Sequence, residues 1–352
     1  MLSKKIALLT AVMLVIMVLT ITAFAVELDD NNKDSQGVLY TLDTIAKTAM
    51  VGDGSNKCSN AGYAGAADGA VSIPLTVEKD GVTYTVNKIG YYAFKSCGSI
   101  VSVDVPATVE TIDNCAFFDC VNLTSVTLAA GVKTIGSSAF AGCKSLGNII
   151  IPASVSEIGY SAFYGCKAMT SVTVPDGVEK IGNRAFACSD NLTSVTIPAS
   201  VTKLDDSAFN SCTSLETVTI PLSVSALGNS VFSGCSALET VFMYKNVETI
   251  GNNAFWGCDA LTVYLQKEGT AAVEYMETND INYTLKGDVN GDKKIGIADA
   301  ILLRQYIASQ GMVEIGNTAE IASNISRDAS LNISDSIRLA QYIASNGSID
   351  LD

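Results

Sequence analysis

One residue pattern returns every 23 positions through the middle of the chain. An aromatic that follows a small apolar residue stands at Phe94, Phe117, Phe140, Phe163, Phe186, Phe209, Phe232 and Phe255, with no insertion or deletion between copies. Five residues before each is Ile or Leu (Ile89 through Ile250), and six residues after each is an apolar side chain (Ile100 through Leu261). Val or Ile follows at plus nine in seven units, and Pro106, Pro152, Pro175, Pro198 and Pro221 close the stretch. A fixed period of this length implies stacked units, because a single unit cannot bury its apolar side alone.

Within a unit, "LTSVTI" alternates like a short strand with every second residue inward. Proline then removes a backbone donor and ends the ladder. The stretch "IGNRAF" that follows carries apolar residues at helical or 3₁₀ spacing. The expectation is an α/β solenoid with right-handed winding, parallel strands on one face and short helical turns on the other. Eight rungs at about 4.8 Å each make a rod on the order of 40 Å long. "LTSVTIPASVTKLDDSAFNSC" and its copies resemble the BspA-type (treponemal) leucine-rich repeats of bacterial surface and secreted proteins, over roughly residues 70–265. Residues 26–75 read as an N-terminal region and cap, with "VSIP" an early rung and Lys79-Asp80-Gly81 a hairpin turn. Repeats and a C-terminal cap occupy 76–285; Tyr264 holds the plus-nine position there and no proline follows.

Composition narrows the function. The chain has no histidine, so Ser-His-Asp and Cys-His catalysis, His-ligated zinc and an imidazole switch are all excluded. With 36 acidic and 22 basic residues the net charge is −14, and no basic tract stands out, which disfavours nucleic acid and anionic membrane as partners. Residues 1–25 carry Lys4 and Lys5, an apolar run and Ala23-Phe24-Ala25, the layout of a cleaved secretory signal; an uncleaved anchor is the other reading. Once the signal is cut, no membrane span is expected.

Seven of the ten cysteines share one phase, three after the Phe: Cys97, Cys120, Cys143, Cys166, Cys212, Cys235 and Cys258. Cys188 is one position early, and Cys58 and Cys115 lie off the ladder. Side chains stacked in register point the same way, which suits small buried packing groups better than disulfides.

The period ends near Lys286. "GDVNGDKKIGIADAILLRQYIAS" has a second copy, "SNISRDASLNISDSIRLAQYIAS", 36 residues later, so that Tyr306 aligns with Tyr342. Each is a loop followed by a helix. Asp288, Asn290, Asp292 and Asp299 fall at loop positions 1, 3, 5 and 12, and Lys294 offers a backbone carbonyl at 7. This is the spacing of a Ca2+ loop, where alternate oxygens converge as the chain curls. The second copy offers Asn324, Ser326, Asp328, Ser330, Asn332 and Asp335. It has fewer carboxylates, so a weaker or vacant second site is expected.

Paired loop–helix units without an entering helix resemble type I dockerins, over residues 286–352. The resemblance implies a small all-α calcium-binding module that docks on a cohesin module of a scaffoldin. The chain would then be an extracellular cellulosome component, held on a cell-surface scaffold of an anaerobic bacterium. It also implies cohesin contacts at Ile297, Ala298, Arg304 and Gln305, and in the second copy at Ile333, Ser334, Ala340 and Gln341. The copies differ at two of these positions, which argues against interchangeable binding modes.

Strand positions eight and ten past the Phe are mostly hydroxylic (Ser125, Thr127, Ser171, Thr173, Ser194, Thr196, Thr217, Thr219) and are expected to face outward. Tyr91, Phe118, Tyr160, Tyr164 and Trp256 flank the Phe column as sugar-stacking platforms or as rim packing, with Tyr160 and Tyr164 placed to share a helical face. No unit deviates to build a pocket, and no long insertion forms a lid. The leading reading is a non-catalytic binding or adhesion rod with a polysaccharide or protein ligand, docked through its tail. A free surface adhesin with a degenerate module, and a hydrolase with an unrecognised acidic pair, are the other two.

Overall fold

The structure is a computed structural model that describes residues 25–53, 69–244, 246–265, 270–289, 291–308 and 333–344. The apolar leader up to residue 24, Cys58, Asn290, and Asn324, Ser326, Asp328, Ser330 and Asn332 of the second loop lie outside the described residues.

Each 23-residue unit is one rung with three sides. The first side is the expected parallel strand, with Ser102↔Ser125 and Thr217↔Thr240 paired in register. Its alternate residues are buried: Val126 and Leu128 point in, Ser125 and Thr127 out. After the strand, Pro106, Pro152, Pro175, Pro198 and Pro221 each begin a tight turn, with the N–H three residues on donating to the proline carbonyl. Gly131 sits in a turn of the same kind that lacks a proline, where a Cβ would come 1.8 Å from the Ala107 carbonyl oxygen.

The second side differs from expectation. Thr111–Ile112, Thr134–Ile135, Glu157–Ile158, Lys180–Ile181, Lys203–Leu204, Ala226–Leu227 and Thr249–Ile250 form another parallel ladder, so strands occupy two sides of the rod.

The third side, centred on the Phe, is not helical. The residue two before each Phe has positive φ (Tyr92, Cys115, Ser138, Ser161, Arg184, Ser207, Ser230, Asn253), and so does the residue two after it (Ser96 through Gly257). Left-handed residues at every fourth position cannot continue a helix. They turn alternate N–H groups along the rod axis instead. In each rung but the last the N–H groups at Phe −2, Phe and Phe +2 donate to carbonyls of the next rung, as in Cys115→Ser137, Phe117→Ala139 and Asp119→Ala141 at 2.7–2.8 Å. The intervening N–H groups close turns within the rung, such as Phe118→Cys115. The column is thus a third hydrogen-bonded ladder, with its N–H groups all aimed toward the C-terminal end.

Inside it the eight Phe rings stack, with centroids 5.2–5.6 Å apart and planes within 9° of parallel. The cysteine ladder has a positive function beside them. From Cys120 onward each ladder thiol donates to the Phe carbonyl of the preceding rung: Cys120 to Phe94 at 2.9 Å, Cys143 to Phe117 at 3.1 Å, Cys212 to Phe186 at 3.2 Å. Where cysteine is displaced to Cys188, Ser189 holds the ladder position and its hydroxyl donates to Phe163 at 3.5 Å. The nine described cysteines are free thiols. Burial pushes Cys212 up to about 12 and Cys258 up to about 11. Cys166 and Cys235 are raised by the same cause, and Cys120 by its neighbour Cys143 together with burial.

Both ends are capped. Thr76–Lys79 and Val82–Ile89 form an antiparallel hairpin through Asp80-Gly81, both at positive φ, as the turn residues predict. Ala70–Ser72 pairs with Ser102–Asp104 as the early rung. At the other end the front ladder continues further than the proline pattern suggests. Thr262–Leu265 pairs with Thr240–Met243, helix α1 (Ala271–Thr278) crosses over, and Asn282–Leu285 adds one more parallel strand.

Candidate functional site

The C-terminal module follows directly, with Lys286 N–H donating to Leu265 and Asp288 N–H to Leu285. Its loop curls as the spacing predicts. The Asp288 carboxylate accepts from the N–H groups of Gly291, Lys293 and Asp292, at 2.8, 2.8 and 3.2 Å. Asp292 accepts from Lys294 at 2.9 Å. Gly291 and Lys293 take the positive φ that lets the chain double back. Asp299, in the first turn of α2 (Ile297–Ala308), accepts from Val289 at 2.8 Å and Gly296 at 2.7 Å, clamping the end of the loop to its start. Lys293 also lies over the Tyr283 ring at 4.4 Å, tying the loop to the last strand of the rod.

Asp288 and Asp299 are buried, and so is Asp335 in the first turn of α3 (Ile333–Ala344); Asp292 and Lys294 are exposed. Burial raises Asp288 above the usual carboxylate range, the backbone N–H groups oppose this, and the charges of Asp299 and Asp292 add to the rise. Among the described residues no three acidic or thiol side chains converge closely enough to hold an ion. The donor chemistry nevertheless suits a hard divalent cation: only oxygens, with carboxylates facing one another across a curled loop.

The helices pack through Val289, Ala300, Leu303 and Leu339. Of the residues the resemblance implicates in docking, Ile297, Ala298, Arg304 and Gln305 are exposed on α2; on α3 Gln341 is exposed and Ala340 half-buried. The side chains of Ile333 and Ser334 are outside the described set. Ile301 and Ile337, not singled out from sequence, join this exposed surface.

On the rod, the Ser and Thr row faces outward, with Ser171 half-buried. One rung departs from it, contrary to the expectation that no unit deviates. Residues 147–151 form no strand, and the front ladder divides there into a three-stranded and a six-stranded part. The Asn148 side chain stands in for the missing backbone, its Oδ1 accepting from the N–H groups of Thr170 and Ser171 at 2.9 and 3.0 Å. Ile150, where neighbouring rungs carry threonine, is 85% exposed at the edge of a cavity of about 440 Å3. Unit length is unchanged, so only the Asn and Ile identities signal the break. Tyr160 and Tyr164 do not share a helical face, because their segment is part of the turn column; each meets the next rung, at Arg184 and Cys188. Tyr91 stacks on Tyr92 at 4.1 Å, whereas Phe118 and Trp256 are exposed.

No helix among the described residues is long and apolar enough to cross a membrane. No curated protein is a significant match. A leucine-rich cell surface protein of Faecalibacterium prausnitzii is similar in structure, with TM-score 0.51 and 25% identity over 67% of this chain and 76% of that one. Leucine-rich repeat proteins of Bacteroides ovatus and T. pallidum match at TM-score 0.46 and 24% identity, over 74% and 72% of this chain and 80% and 97% of theirs. The model of the BspA type leucine rich repeat region matches residues 81–175 and 133–262, which together span just over half of the chain. Rung geometry and family match agree, and the chain belongs to the BspA-type leucine-rich repeat family.

Proposed function

We propose that this chain is a non-catalytic binding protein displayed at a cell surface. Its rod meets the ligand, and its C-terminal module is a dockerin that holds it on the cohesin of a scaffoldin. The rod half of the reading is supported by the family and by similarity to a protein described as cell-surface. One observation carries the docking half: a duplicated loop–helix unit that buries Asp288, Asp299 and Asp335 while exposing Ile297, Ile301 and Ile337. Apolar side chains left out on a small module, beside acids drawn in, fit a surface that is fixed from within and completed by a partner.

Calcium, when bound, supplies the positive charge that lets Asp288, Asp292 and Asp299 share one loop. The chain's own residues do the rest. Asp299 joins the loop to the first turn of α2, so the helix orientation is set by the loop. Leu303 and Leu339 then fix α3 against α2. The exposed face is preformed, and metal binding is linked to folding.

The test is capture of the full chain on an immobilised type I cohesin, with calcium and with chelator. The reading requires retention with calcium and release without it. Absence of retention under both conditions leaves a free surface adhesin.

A further inference from the structure

The turn column ends unsatisfied. In every earlier rung the N–H groups at Phe −2, Phe and Phe +2 are received by the next rung. At the last rung these are Asn253, Phe255 and Gly257, and no further Phe rung follows. Helix α1 closes only the centre. The Tyr275 hydroxyl accepts from Ala254 N–H at 2.9 Å and faces the Phe255 N–H, while its ring meets Phe255 edge-on at 6.3 Å. Among the described residues nothing accepts from Asn253 N–H or Gly257 N–H. Both border a cavity of about 360 Å3 between the last rung and α1, lined by Asn253, Trp256, Gly257, Asp259, Asn279 and Asp280.

The lining selects a ligand class. Trp256 is the chain's single tryptophan, and it is 71% exposed at the cavity rim. An aromatic face that wide, left open to water, offers stacking to a flat apolar surface with polar edges. Around it stand two backbone donors, the amides of Asn253 and Asn279, and the carboxylates of Asp259 and Asp280. Hydroxyl groups, which both donate and accept, match such a mixed set. Anions do not, because the two carboxylates repel them and no Lys or Arg lines the cavity. The volume falls in the range of small-ligand sites, about 300–1,000 Å3. We propose that the C-terminal end of the turn column is a carbohydrate subsite. A sugar ring lies on Trp256, its ring or hydroxyl oxygens accept from the Asn253 and Gly257 N–H groups, and its hydroxyls donate to Asp259 and Asp280. This deepens the binding reading of the rod and is independent of docking.

Trp256 reports on its own site. The full chain is titrated with cellohexaose, xylohexaose, mannohexaose, galactohexaose and chitohexaose, and separately with inorganic phosphate, while tryptophan emission is followed. At least one hexasaccharide is expected to change the emission saturably, and phosphate is not. By calorimetry, Trp256→Ala and Asp280→Ala each weaken that sugar at least tenfold, and Trp256→Phe recovers part of the loss. Both positions are exposed, and an unchanged melting temperature confirms that the three variants fold. A flat response to all five sugars at millimolar concentration overturns the subsite. So does a response to phosphate equal to that of the sugar, or undiminished binding by Trp256→Ala. Neither calcium nor cohesin is present, so failure here leaves docking untouched, and failed docking leaves this result standing.

Discussion

The rod and the C-terminal module solve the same problem with opposite means. Along the rod, up to its last rung, polar groups freed by a turn are received by the neighbouring rung: backbone N–H by carbonyl, Phe carbonyl by Cys or Ser, and Asn229 N–H by the Asp206 side chain. Among the described residues one apolar cluster extends from Leu28 to Leu285. The module has a second apolar cluster of only Val289, Ala300, Leu303 and Leu339 among the described residues, around acids that repel one another. A stack whose interior rungs satisfy one another needs a partner at its open end alone. A loop that gathers like charges needs a counter-charge, and its stability becomes conditional. On the proposed reading, the contrast separates a permanent scaffold from a switchable attachment.

The contrast is broken most severely at the centre of the Phe stack. Phe163→Ala is expected to cost about 3–5 kcal/mol, read by chemical denaturation, because both flanking rings lose a partner and the fixed rung spacing prevents collapse. An effect under about 1 kcal/mol means that the rungs are not mechanically coupled. On the proposed reading calcium comes next, with an effect confined to the other region. At one hundred times its dissociation constant it should stabilise the module by about 2.7 kcal/mol. In a thermal scan of the full chain, chelator should move a lower transition and leave the rod's transition in place.

The thiol ladder gives a pH signature belonging to the rod alone. Below the ordinary thiol value of 9.0, Cys212 is protonated whether folded or unfolded. Above it the unfolded chain loses the proton, while the folded rod holds it until about 12. The folded state therefore binds more protons in that window, and stability falls as pH rises through it. Denaturant midpoints at pH 7 and pH 10 check the sign. On a smaller scale, Cys212→Ala should lose about 0.5–1.5 kcal/mol with its hydrogen bond, and Cys212→Ser should recover most of it, as Ser189 does naturally. Smallest is Ile150→Thr on the front face. It should stay within about 0.5 kcal/mol, and a larger loss would assign the interrupted rung a structural function.

What the sequence made legible follows from translation. A period of 23 without indels forces register, so the Phe stack, the cysteine column, the outward hydroxyl row and the hairpin at Asp80-Gly81 were all readable. The turn column was not. Ile181, Ala185 and Phe186 have spacing that suits a helix, and the positive φ at Arg184 and Cys188 between and after them overrides it. A trace of that geometry is present two residues after the Phe, where Gly142, Gly165, Gly234 and Gly257 recur, but Asp119 and Cys188 at the same phase conceal it. Asn148 hides a broken rung for a related reason, since a side-chain oxygen replaces a backbone one at no change in length. In the module, a curled loop was readable from the spacing of Asp288 and Asp292, whereas the Asp299 clamp and the exposure of Ile301 and Ile337 depend on how loop and helices meet.

The bonds between successive turns all run along the length of the molecule. A pull between a captured surface and an anchored tail would therefore strain them in series. Each coil can detach singly from the end while the remainder holds, so the protein should extend under tension in 23-residue steps and behave as a shock absorber, not as a rigid strut.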